Sequence, residues 1–247
     1  MENTAAVGTR SRWTAERRFF TGMAIAMLIA AYVGFARSFF LRPLFPEWPS
    51  PSEPIFYVHG AFFSAWCVLL VTQALLVGAG RTDVHRKLGV FGVVVAVGMV
   101  ILGVAGALIA ANRPTGFHGV PVPPLQFLVV PLFDIAFFVA FFGLAIANRT
   151  NPQSHKRWMV LATVTLLGAA FARWPYVWKL GNPFAYFGLA DLFIVALAIW
   201  DFRTRRKLHP VTRWGGLALI VSQPARLALS GTIVWLAFAT WLTSLVR

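Results

Sequence analysis

Four ionisable side chains fall within or against otherwise apolar sequence: His59 in PIFYVHGAFF, Asp134 in VVPLFDIAFF, Arg173 in GAAFARWPYV and Asp191 in FGLADLFIVA. An ionised group at mid-membrane costs at least ~2.5 kcal/mol on insertion scales, so each needs a partner or a water-filled cavity. One arginine between two carboxylates meets that need, because a planar guanidinium can bind both. The sequence therefore predicts that Arg173 pairs with Asp134, Asp191 or both. Two kinds of chemistry follow. The charges can be an internal lock that fixes helix register, or His59, Asp134, Arg173 and Asp191 can line an outward-facing intramembrane pocket for a small ligand.

Histidines form a second set. RTDVHRKLG (81–89) places Arg81-Thr82 ahead of His85, RTNPQSHKRWM (149–159) repeats the pattern with His155, and RTRRKLHPVTRW (203–214) gives a looser copy with His209. Basic residues in short turns anchor a chain to anionic headgroups, which is one reading of all three segments. Histidine is a weaker anchor than lysine or arginine, so its repetition also points toward ligand chemistry.

These residues are carried by long apolar runs. The chain is 58% hydrophobic and 12% charged, with a mean hydropathy of +0.71, far from a soluble profile. Spans are expected near 18–40, 55–79, 86–111, 125–147, 158–178, 184–201 and 225–245, each close to the ~20 residues that cross a hydrocarbon core. Proline-rich RPLFPEWPSPSEP (42–54) and RPTGFHGVPVPP (113–124) separate the early spans. Pro224 interrupts the last apolar stretch, so 211–222 is expected as an interfacial or partly inserted helix. The N-terminal stretch and the turns near 81–87, 149–157 and 203–226 hold 16 of the 22 Lys and Arg residues, and the alternate side holds 5. The positive-inside rule then places the N-terminus in the cytoplasm and the C-terminus outside.

The expected architecture is an all-α, seven-helix integral membrane bundle. Spans 2–3, 4–5 and 6–7 form three helical hairpins behind a leading helix. Residues 1–17 form a basic cytoplasmic tail, and 18–247 a single transmembrane domain of the cytoplasmic (inner) membrane. Its partners are the bilayer and anionic headgroups rather than nucleic acid, because the net charge of +14 is concentrated in the turns. One cysteine, Cys67, rules out a disulfide framework and a cysteine-based zinc site. No phosphate loop, nucleotide fingerprint, HExxH or serine elbow occurs, so no residue is assigned a catalytic role.

The HRKLG segment at a helix start resembles bacterial multi-spanning membrane proteins that carry such segments, and these are distantly similar to cytochrome b561-like haem proteins. The likeness covers spans 2–5. It implies haem b held between helices by one histidine pair toward each face: His85 with His155 on the inner side, and His59 with His118 on the outer. Arg86, Lys87, Lys156 and Arg157 would then hold the propionates. Three readings stand at this point: a polar pocket that binds or moves a small ligand or assists a membrane complex, a haem b electron carrier, and a structural membrane partner.

Overall fold

The computed structural model describes residues 2–48, 53–117, 120–180 and 182–246, with side chains from Ala15 onward except Trp178. His118 lies outside the described residues. The described chain is all-α. Its long helices are α1 (Glu2–Phe35), α2 (Pro54–Gly78), α3 (Thr82–Asn112), α5 (Val129–Ala147), α6 (Pro152–Phe171), α8 (Pro183–Arg205), α9 (Pro210–Ser230) and α10 (Ile233–Ser244). Single turns α4 (Pro124–Phe127) and α7 (Val177–Leu180) precede α5 and α8.

Helix starts follow local chemistry. Asn151 caps α6 by accepting from the Gln153 and Ser154 N–H groups at 3.1 and 3.2 Å, and Asn182 caps α8 by accepting from Phe184 N–H at 2.9 Å. In both cases proline follows at the first helical position, where its missing N–H costs nothing. His209 begins α9 in the same way. Its Nδ1 accepts the Val211 N–H at 3.1 Å, ahead of Pro210.

Among the described residues, five segments are long and apolar enough to cross a membrane: Ala15–Phe40, Pro54–Gly78, Thr82–Asn112, Pro124–Ala147 and Pro183–Arg205. A sixth results if α9 and α10, bent by 85° at their junction, count as one span. Large apolar side chains such as Val90, Val94, Val97 and Ile101 stay exposed along α3. Such faces suit lipid and would be an aggregation liability in water.

The centre of the bundle is α6, which touches α1, α5, α8 and α9. Val160, Leu161, Ala162, Thr163, Val164 and Leu167 are all buried there. Trp66 on α2 donates its indole N–H to the Thr163 hydroxyl at 3.2 Å. The glycines of α3 admit close neighbours: a Cβ at Gly98 would collide with the Phe62 ring, and one at Gly103 with Ile135. A smaller apolar cluster joins α10 to α3 and α5 through Ala107, Leu108, Val129, Val130, Phe187 and Trp235.

Two expected spans need correction. At the place of the fifth, helix α6 begins and ends earlier, because the polar turn Pro152–Lys156 is already helix and the helix stops at Phe171, and it is not among the segments long and apolar enough to cross. The seventh is not a helix over 225–245. Helix α9 runs unbroken through Pro224, and the chain breaks at Gly231-Thr232 instead. Neighbouring backbone and side chains can satisfy the carbonyl that an intramembrane proline frees.

Candidate functional site

The acids expected to share Arg173 have other partners. Asp134 on α5 forms a buried ion pair with Arg226 on α9. The same guanidinium reaches the Val130 carbonyl and the Ser222 carbonyl, each at 3.4 Å, and the Ser222 hydroxyl at 3.3 Å, and it lies over the Phe187 ring at 4.9 Å. Asp191 on α8 accepts from the Gln223 side-chain amide at 2.9 Å. Asp191 is also close enough to feel the charge of Arg226, and Tyr186 feels both Arg226 and Asp134. Helices α5, α8 and α9 thus build one polar layer within an apolar bundle.

Arg173 stands apart from this layer. It lies beyond the last residue of α6, donates to the Ala169 carbonyl at 2.6 Å and covers the Phe35 ring at 4.8 Å. A cation on the last carbonyls of a helix satisfies groups that have no intrahelical partner and opposes the helix dipole. Among the described residues no ion pair joins Arg173 to Asp134 or Asp191. His59 stacks on Phe63, with ring centres 4.2 Å apart, and its Nδ1 approaches the Leu102 carbonyl at 3.4 Å. It is near enough to Arg173 to feel that charge. The four expected pocket residues therefore fall into two groups, Asp134 with Asp191 and His59 with Arg173.

A second buried pair joins Arg157 on α6 to Asp201 on α8. Asp201 also accepts from the Thr212 hydroxyl at 2.6 Å and the His209 backbone N–H at 3.0 Å. Arg157 donates to the Gln153 backbone carbonyl and side-chain oxygen, both at 2.8 Å. Gln153 in turn donates to Glu16, which also pairs with Lys156. This network ties α1, α6, α8 and α9 at the end of the bundle where α6 begins. Each buried charge has its hydrogen bonds, the condition under which a buried pair is tolerated.

The histidine pair expected on the inner side is brought together. The rings of His85 and His155 lie 6.3 Å apart, centre to centre, at an interplanar angle of 88°. His155 Nδ1 lies 2.8 Å from the Ala145 carbonyl. Of the four basic residues expected around propionates, Lys156 and Arg157 are committed to Glu16 and Asp201, while Arg86 and Lys87 are exposed. The third copy of the motif has a different role, since His209 is a helix cap.

Sequence reasoning misses Arg226, Gln223 and Asp201 as site residues, and gives Arg157 a propionate in place of Asp201. It groups Arg226 with a cytoplasmic turn and leaves Asp201 at the edge of a span. The scarcity of acids is the available signal: with 8 Asp and Glu against 22 Lys and Arg, an acid inside an apolar run must find one particular cation. Comparison of the chain with protein-family models, with curated proteins and with solved structures returned no match.

Proposed function

We propose that the chain is a seven-crossing protein of the cytoplasmic membrane, N-terminus inside, whose buried polar layer binds and passes a small polar ligand entering from the outer face. In this reading the crossings are α1, α2, α3, α5, α6, α8 and α9, and α10 reclines at the outer surface. The pocket centres on Asp134 and Asp191, with Arg226 and Gln223 in the role first expected of Arg173 and His59. The basic turns at 81–87, 149–157 and 203–207 rest against anionic headgroups.

One observation carries the reading: the Asp134–Arg226 pair and the Asp191–Gln223 bond flank Pro224 on a helix that breaks a few residues later. Ionisable groups inside spans generally mark ligand or ion paths, and interrupted helices are where membrane transporters build their sites. Asp191 is only half-buried, so its carboxylate is not sealed inside the bundle as a pure register lock would be.

Thiol labelling tests the proposal. In a Cys67→Ala background, Asp191→Cys and Gln223→Cys should react with a charged, membrane-impermeant thiol reagent added outside intact cells. Failure of both to react, with Phe202→Cys equally silent and outer-loop Lys179→Cys labelled, would leave the polar layer as a lock between helices.

A further inference from the structure

His85 on α3 has Gln73 of α2 on one side and His155 of α6 on the other, at the end of the bundle where α3 and α6 begin. Gln73 Oε1 and His85 Nδ1 are buried without hydrogen-bond partners, two of four such side-chain atoms among the described residues. His85 lies beside the Gln73 backbone carbonyl. The Gln73 side-chain nitrogen is 3.7 Å from a Cβ built at Gly89, one turn along α3 from His85. Natural proteins seldom leave buried polar atoms unpaired, and an unmet pair in one place invites a ligand.

The opposite ring is prepared for one. A carbonyl only accepts, so the contact of His155 Nδ1 with Ala145 O requires the proton on Nδ1 and leaves the lone pair on Nε2. Metal-ligating histidines are oriented in this way, by a carbonyl on the far nitrogen. An ion about 2.0–2.1 Å from one nitrogen of each ring puts the ring centres roughly 5 Å apart at a tetrahedral angle, and about 6 Å apart only when the two bonds are nearly opposed. The observed separation is 6.3 Å, so the two rings have to close by about 1 Å on a tetrahedral ion.

We propose that His85, His155 and the Gln73 carboxamide oxygen bind a late first-row transition-metal ion of the zinc class. Two imidazoles and one neutral oxygen suit such an ion better than magnesium or calcium, which prefer all-oxygen sites. They leave a fourth position open to water, as in zinc sites that exchange ligands. Among the described residues no three His, Cys, Asp or Glu side chains gather at one point, so the carboxamide is an essential third donor. Both histidines are half-buried at a helix start, which gives an ion access from the aqueous phase. The Gln73 side chain and α3 close on each other at Gly89, which favours a bare ion over a macrocycle. The site is independent of the polar layer, since Ala145 lies eleven residues, or roughly 16 Å, along α5 from Asp134.

The test is calorimetric titration of the full chain in detergent with Zn2+ after chelator treatment, alongside a visible spectrum. One Zn2+ should bind per chain. His85→Ala and His155→Ala should each weaken binding at least tenfold, and His209→Ala should leave it unchanged. Gln73→Leu should weaken binding by about 10–100-fold, the range seen when metal-site partners are removed. Gln73→Glu should tighten it, a gain that misfolding cannot produce. The proposal is overturned if Zn2+ does not saturate, if the His85→Ala/His155→Ala double variant still binds it as the wild type does, or if Gln73→Glu gives no gain. A Soret band lost with His85 or His155 would overturn it in favour of haem.

Discussion

His209 Nδ1 can accept the Val211 N–H only while the imidazole is neutral. Burial, with the Arg157 and Arg205 cations nearby, pushes that ring down from about 6.5 to about 4. A base whose folded value is depressed takes up its proton more readily when unfolded. The unfolded chain therefore binds more protons across this window, and stability falls as pH drops from about 6.5 through 4. His209→Asn keeps a good cap and removes the titration. The melting temperature of the variant should fall less than that of the wild type over this interval, and the two should run parallel above pH 7. Identical slopes throughout would mean that the ring carries no such linkage. The three Arg-Thr…His segments look alike because sequence displays a residue's neighbours along the chain. Its neighbours in space separate a cap from a facing pair. Sequence mispairs Asp134 for a different reason: it leaves Arg226 in a cytoplasmic turn ahead of a span expected at 225–245, and only the course of α9 through Pro224 carries that cation to α5.

At the scale of the helix, α1 and the end of α6 come close together where a Cβ at Gly34 would run into the Ala170 backbone. Trp174 reinforces the contact by donating its indole N–H to the Ala30 carbonyl at 3.0 Å. Backbone cannot rotate aside as a side chain can. Gly34→Ala should therefore force the helices apart and destabilise the protein by about 1–3 kcal/mol, the usual range for overpacking. Gly143→Ala is the control. Nothing lies within 4 Å of the added carbon there, and alanine in a helix is favoured over glycine by roughly 0.5–1 kcal/mol. Thermal unfolding in detergent should separate the two, and a Gly34→Ala protein as stable as Gly143→Ala would refute the close approach. Most helix ends are legible from apolar runs bounded by proline and glycine. The α6 register is not, because SHKR reads as loop chemistry while Asn151-Pro152 has already begun a helix. Pro224 misleads in the opposite sense. It resembles a boundary, yet the bundle absorbs it, and the quieter Ser230-Gly231-Thr232 is where the chain turns.

For the molecule as a whole, composition makes a membrane protein legible, while the path of the last two helices requires the fold. Helix α9 starts at Pro210, at the end where Asp201 accepts from the His209 N–H and binds Arg157. Sixteen residues later, roughly 24 Å along its axis, Arg226 meets Asp134. That rise matches most of a hydrocarbon core ~30 Å thick, which is what the proposed crossing by α9 requires. The twelve residues of α10 rise only about 18 Å and are too short to return across it. They are instead held at the far end, where Trp235 donates to the Leu125 carbonyl at 2.8 Å and Asn112 donates to the Thr243 carbonyl at 3.0 Å. A topology reporter fused after Lys207 should therefore be cytoplasmic, and one fused after Val246 should lie outside. A third, inserted after Gly231, should agree with Val246, because in the proposed topology the 85° bend turns the chain along the surface rather than back through it. If the Val246 fusion instead matched Lys207, α9 and α10 would form a re-entrant loop, and Arg226 would approach Asp134 from the cytoplasmic side. The polar layer would then open inward, and the thiol reagent that labels it would have to be supplied from that face.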